Sequence, residues 1–204
     1  MLILISVYGY GGFGHYSVGI ARPDISKLKD FLKQRGYSDF DNTFITTGGS
    51  GYAVFKRFVI GGESNSLKTI TTSNDSSTAY ISGGYWQFSL GYLLYSNKKF
   101  NSYAIFGVGE DKLEIITVEG FSGSFENIFD NPPKSAKYST EGFFFTASLQ
   151  GDVSLYGLNI GLRVGYGYSL KGGWKVWDKD VSGGPKVGLD GPFIRLIIGG
   201  GIII

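Results

Sequence analysis

The stretch Leu158–Leu170 reads Leu-Asn-Ile-Gly-Leu-Arg-Val-Gly-Tyr-Gly-Tyr-Ser-Leu. Leu158, Ile160, Leu162, Val164, Tyr166, Tyr168 and Leu170 fall on one side, and Asn159, Gly161, Arg163, Gly165, Gly167 and Ser169 on the other. A strict period of two is the pattern of a β-strand whose faces meet different surroundings. Directly before it, Phe143–Leu155 repeats the pattern, with Phe143, Phe145, Ala147, Leu149, Gly151, Val153 and Leu155 opposed to the mostly polar Phe144, Thr146, Ser148, Gln150, Asp152 and Ser154. Tyr156-Gly157 between them is a hairpin turn. In that hairpin Gln150 faces Arg163, and Asp152 lies on the diagonal.

The rest of the chain extends this reading. Pro192–Ile204 places Ile194, Leu196, Ile198, Ile202 and Ile204 against Arg195, Gly199 and Gly201, and Ala79–Leu94 places Trp86, Phe88, Leu90, Tyr92 and Leu94 against Gln87, Ser89 and Gly91. Further strands are expected near Gly12–Ala21, Phe44–Phe55, Phe58–Asn65 and Phe100–Val118, which makes about eight. One segment reads as helix. From Asp24 to Arg35, Ile25, Leu28, Phe31 and Leu32 share a face at helical spacing, with Asp24 as N-cap and Gly36 as the stop. The opposite face carries Lys27, Lys29, Lys33 and Arg35. This helix is expected to cap one end of a barrel, with a position on lipid head groups as the alternative.

Composition fits one domain over residues 1–204. The chain has 33 Gly, 14 Tyr and 16 Phe but no Cys and one Met, and its net charge is +2. Glycine without a three-residue period is not collagen, and so many aromatic rings argue against disorder. Without cysteine there are no disulfides and no thiolate metal sites. Neither the charge nor any Lys/Arg run suits nucleic acid. No apolar run reaches the length of a spanning helix. The start, Met1–Val7, is too short and lacks the basic residues of a complete secretion signal, so export requires that the chain be a mature form.

The connections set the orientation. Lys56-Arg57, Ser96–Lys99 and Tyr156-Gly157 are short, whereas the helical segment to Asn42, Ser66–Ser76, Glu119–Thr140 with Asn131-Pro132-Pro133, and Lys171–Gly191 are long. Short and long alternate, so all short turns fall at one end and all long loops at the other. Barrels of the bacterial outer membrane have this asymmetry, with long loops outside the cell and both termini on the periplasmic side. The expected fold is therefore all-β, a closed antiparallel up-and-down transmembrane β-barrel in an outer-membrane bilayer.

Face chemistry agrees. The side opposite the apolar rows is too rich in glycine to be an ordinary water-facing coat. It reads as a lumen lining, with Glu63, Asp152, Arg163 and Arg195 as a mutually paired charge cluster and Gln150 and Asn159 as further lumen polar groups. Ile160, Leu162, Val164, Ile194, Leu196 and Ile198 then face lipid. Phe55, Phe58, Tyr92, Tyr95 and Tyr156 at the short-turn end, and Phe143, Phe145, Tyr166 and Tyr168 toward the loops, suit the two interfaces. Lumen glycines permit curvature and lie under neighbouring rings. The alternative is a soluble lipocalin-like ligand-binding barrel with its apolar side inward.

On this architecture the chain resembles the small eight-stranded outer-membrane barrels, the group of OmpA transmembrane domains and OmpX-like and OmpW-like proteins. The resemblance spans about Gly12–Ile204 and rests on architecture, not on a motif. That group commonly ends in an aromatic residue, often Phe, where this chain has Ile202-Ile203-Ile204. It implies a non-enzymatic envelope protein that acts through its loops on a surface or envelope partner. A narrow channel or binding site for small or hydrophobic molecules is the alternative.

An envelope enzyme ranks below both, because the single histidine, His15, stands beside Tyr16 and Ser17 with no carboxylate pattern to orient it. The runs Gly9–Gly14 and Gly165–Gly167 lack the Lys-Ser/Thr and following helix of a phosphate loop. Asp39 with Asp41, and Asp178 with Asp180, read as solvated loop residues rather than cation ligands. No cofactor and no metal site is expected.

Overall fold

A computed structural model of the chain describes residues 9–97, 99–120 and 132–203. The main strands are β1 (Gly9–Ala21), β2 (Phe44–Lys56), β3 (Phe58–Ser73), β4 (Ser77–Ser96), β5 (Phe100–Glu119), β6 (Ser135–Leu155), β7 (Leu158–Leu170) and β10 (Gly191–Ile203). Each pairs antiparallel with its neighbour, β7 with β10 and β10 with β1, so eight strands close a ring. Two three-residue strands, β8 (Trp174–Val176) and β9 (Lys179–Val181), form a hairpin that pairs through β8 onto the outer end of β6.

Strand alternation sorts the side chains as the sequence pattern predicts. Leu162 is 49% exposed while its neighbour Arg163 is 3% exposed, and the same alternation runs along β10 at Ile194, Leu196 and Ile198 against Arg195 and Ile197. The ring is apolar outside and holds its charges inside, the reverse of a lipocalin-like barrel. At the short-turn end, exposed rings meet edge to face, Tyr10 with Phe55 at 5.3 Å and Phe58 with Tyr92 at 5.9 Å between centroids. Amphipathic rings gather in this way at a membrane interface.

The turn at Tyr156-Gly157 has both residues at positive φ, 51° and 91°, the left-handed pair of a tight hairpin. Gln150 pairs directly with Arg163 across it. Inside β7, Gly167 lies under a ring. A Cβ at this residue would stand 2.5 Å from Cζ of Phe144, so the glycine makes room for the aromatic side chain.

Several boundaries differ from the sequence reading. The third strand runs on to Ser73 and the fourth begins at Ser77, so the expected long loop over Ser66–Ser76 is a turn of Asn74, Asp75 and Ser76. Its Ser/Thr content suggests a loop, but Leu67 and Thr72 alternate inward and Thr suits a pleated strand. The sixth strand starts at Ser135, not Phe143. Its charged residues are paired on the outer wall, where Lys112 bridges Glu114 and Glu141, Lys137 meets Glu114, and Lys175 meets Glu141, all within 3.3 Å. The last connection holds the β8–β9 hairpin. Residues 121–131 of the expected loop, with Asn131, and Ile204 lie outside the described residues.

The helix α1 spans Ser26–Lys33, shorter than Asp24–Arg35. Ile25, not Asp24, is its N-cap; the Asp24 carboxylate instead accepts from the Ser26 hydroxyl at 2.7 Å and from its N–H at 3.3 Å. Gly36 follows with φ +80°, in the left-handed position that stops a helix. Ile25, Leu28 and Leu32 are buried with Phe44, Leu67, Phe144 and Leu189, so the apolar stripe seals the ring's outer end and does not lie on lipid.

β3 to β6 have 16, 20, 20 and 21 residues. About 10 tilted residues cross a bilayer, so the longest strands rise on the order of 20 Å beyond it. The outward row changes accordingly, from Phe106 and Val108 to Glu110, Lys112 and Glu114 along β5. Above the ring, these extensions, the β8–β9 hairpin and α1 make an outer head.

Candidate functional site

The ring interior is layered. Toward the short turns, Phe13, Tyr52, Val54, Val59, Leu93, Tyr103 and Ile105 form an apolar plug. Toward the loops lies the larger cluster sealed by α1. Between them sits a polar layer whose four charged side chains, Glu63, Asp152, Arg163 and Arg195, come from four strands.

Its centre is the Glu63 carboxylate of β3. Oε1 accepts from Nη1 of Arg195 at 2.7 Å, from the Tyr85 hydroxyl at 2.6 Å and from Nδ2 of Asn65 at 2.9 Å. Oε2 accepts from the Tyr52 hydroxyl at 3.0 Å and from Nη1 of Arg163, which forms the second ion pair. Arg163 also donates from Nε to the side-chain oxygen Oε1 of Gln150 at 3.0 Å, and Arg195 packs against Phe193, with its guanidinium carbon 4.1 Å from the ring centre. From Gln150 the bonds continue toward the short turns. Nε2 of Gln150 donates to Asp152 at 3.0 Å, Nδ2 of Asn101 donates to Asp152 and to Ser154, and the Ser154 hydroxyl donates to Asn159 at 2.6 Å.

The chain of bonds thus brings together all six interior residues singled out from the sequence: Glu63, Asp152, Arg163, Arg195, Gln150 and Asn159. Two carboxylates balance two guanidiniums, as burial demands. Sequence reasoning missed Tyr52, Tyr85, Asn65 and Asn101, which supply much of the bonding. Their signal was available, since each falls on an inward position of its strand, but a tyrosine on a strand reads equally as an interfacial ring.

Most polar atoms of this layer are bonded to one another, with Nε of Arg195 left without a hydrogen-bond partner among the described residues. His15 is buried against the Phe13 ring at 4.8 Å, and neither ring nitrogen has a hydrogen-bond partner among the described residues, so no carboxylate orients it. Nor, among the described residues, does any group of three His, Cys, Asp or Glu side chains stand close enough to share a metal ion. On the outer wall, the bonds from Lys112 and Lys175 hold the Glu141 carboxyl below the usual range. Glu114 is partly buried, which works against ionisation, but the bonds from Lys137 and Lys112 outweigh it and its carboxyl is lowered too.

An open site lies in the outer head. A cavity of about 290 Å³ lies between α1 and the extended strands, lined by Leu28, Phe31, Leu32, Arg35, Tyr37, Ile115, Thr117, Tyr138, Trp174, Val181 and residues 182–185. Its polar atoms are largely occupied. The Tyr37 hydroxyl bonds Ser77 at 2.7 Å and the Trp174 indole donates to the Pro185 carbonyl at 2.8 Å.

No family model and no curated protein matches the sequence. Solved structures do match in shape. The chain is similar to the outer membrane protein OprG of Pseudomonas aeruginosa, at 15% identity, 97% of this chain, 98% of that one and a TM-score of 0.53. It is also similar to Ail, the attachment invasion locus protein of Yersinia pestis, in complex with the heparin analogue sucrose octasulfate, at 13% identity, 96% and 99% coverage and a TM-score of 0.51. At such identities the likeness concerns fold, and together with the closed ring, the outward apolar belt and the buried charges it has one reading. This chain has the fold of the small eight-stranded outer-membrane β-barrels.

Proposed function

We propose that this chain is a non-enzymatic protein of a bacterial-type outer membrane, anchored by its barrel and working through its outer head. The observation that carries this reading is the contrast between the two regions. The barrel interior is filled by an apolar plug, an ionic layer and a helix-sealed core, whereas the head holds an open cavity. An eight-stranded ring has room for little besides its own side chains. Ile160, Leu162, Val164, Ile194, Leu196 and Ile198 meet lipid, and the six interior polar residues act as structural ties. Ail, of the same fold, is an attachment protein seen with a heparin analogue, a precedent for ligand binding by a barrel of this shape.

The test is paired. Folded protein left unboiled in SDS migrates differently from the boiled chain and requires detergent or lipid to stay dispersed. In planar bilayers it gives no reproducible unitary current. A protein that is monodisperse without detergent refutes the membrane assignment. A steady conductance refutes the closed interior and restores the reading of a narrow channel.

A further inference from the structure

The rim of the head cavity carries a cation. Arg35, just past the end of α1, stands there with the guanidinium carbon 3.5 Å from the centre of the Phe31 ring. Nη1 donates to the Phe31 carbonyl at 3.0 Å, so the group is fixed from two sides. Among the described residues no carboxylate pairs with it, whereas Lys29 on the same helix is paired with Asp39 at 2.9 Å. A held guanidinium without a counter-charge, beside a wall of Leu28, Phe31, Leu32, Ile115, Trp174 and Val181, presents one anion-binding group to one apolar slot. At about 290 Å³ the slot is at the small end of ligand pockets.

We infer that the outer head binds a small carboxylate with a compact apolar body, such as an aryl-alkanoate, its ring between Leu28, Trp174 and Val181 and its carboxylate on Arg35. Each part has a physical role. Burial of the body supplies the attraction, and Trp174, fixed by its bond to Pro185, offers a preformed face that needs no reordering. The carboxylate takes the open guanidinium donors, for which planar two-point contact is the natural geometry. A neutral molecule of the same shape fills the slot but leaves Arg35 unmatched. The inference rests on the head being the working surface, and it is independent of whether the barrel conducts.

The experiment is calorimetric titration of the full chain in lipid nanodiscs with 4-phenylbutyrate and with its neutral amide, empty nanodiscs giving the partition background. The acid is expected to bind at least tenfold more tightly than the amide. Arg35→Gln, at an exposed residue, brings the acid down to the amide's affinity and leaves the amide unchanged. Val181→Trp, at an exposed residue of the hairpin, fills the slot and weakens both at least tenfold. Equal affinities for acid and amide, binding untouched by Val181→Trp, or no heat from either molecule overturns the inference. Unboiled mobility in SDS, measured on the same samples, distinguishes this failure from failure of the membrane barrel itself.

Discussion

Replacing Glu63 by glutamine tests whether the ionic layer holds the barrel together by charge balance. Glu63 is 7% exposed and, among the described residues, is the only carboxylate in contact with both Arg163 and Arg195, which are 3% and 2% exposed. The amide keeps the shape and some of the hydrogen bonds but leaves two buried guanidiniums facing each other across a neutral group. Asp152 does not relieve them, because it reaches Arg163 only through Gln150. Breaking a buried pair by removing one partner costs about 3–5 kcal/mol. Arg163 retains its bonds to Gln150 and Tyr52, so the lower half of that range is expected. The second variant restores neutrality. With Arg195→Met added, one guanidinium and Asp152 remain, and the methionine packs against Phe193 and Tyr85. The double variant should therefore recover about 2 kcal/mol relative to the single one, opposite to additive damage. Urea titration of the protein in phospholipid vesicles, followed by tryptophan fluorescence, gives these energies. If Glu63→Gln falls within about 1 kcal/mol of the parent, or if the double variant is worse than the sum of the two single changes, the layer is hydrated rather than tied by charge, and the reasoning fails.

Leu162→Arg puts a cation on the outward row and should destabilise the vesicle-inserted barrel by about 2–4 kcal/mol, while the same protein's unfolded baseline stays unchanged; an effect below about 1 kcal/mol would place this residue away from hydrocarbon. Gly167→Val should displace the Phe144 ring from the glycine beneath it and cost about 1–3 kcal/mol in the same titration, partly recovered by Phe144→Leu in the double variant. For the outer wall the sign follows from Glu114 and Glu141, whose carboxyls are lowered on folding. Their contribution is present above the ordinary glutamate value near 4.3 and is lost as pH falls through the lowered folded-state values. Hydrogen exchange at the outer ends of β5 and β6 should therefore quicken below about pH 4, and Lys112→Met should flatten that dependence. Gly157→Val, at a turn residue with φ +91°, should slow insertion into vesicles and cost about 1–2 kcal/mol.

The barrel was legible from sequence because its two faces differ at every step: in Leu158–Leu170 no residue on the apolar side is polar, and the hairpin register with Phe143–Leu155 follows from the turn. That register alone put Gln150 opposite Arg163. Closure onto Glu63 was not derivable in the same way, because β3 and β7 lie across the ring and no local spacing relates them. The strand ends were misread where the polarity pattern changes meaning. Beyond the bilayer the outward face is wet, so Lys137 and Glu141 belong to a strand that a membrane pattern would start only at Phe143. The head cavity was invisible for a related reason. Its walls come from α1, from β5 and β6, and from a hairpin within a connection read as loop, and only the folded chain brings Arg35 and Trp174 to the same opening.

The seam between β1 and β10 has a consequence for how such a protein is made. Gly12 pairs with Ile202 and Ala21 with Phe193, so the first described strand finds its second neighbour only when the last has been synthesised and delivered. Until that moment both terminal strands carry unsatisfied amides that hydrocarbon does not tolerate. Insertion must therefore wait for closure or proceed with it, and any partly built sheet in the aqueous space is a template for aggregation that the cell has to shield.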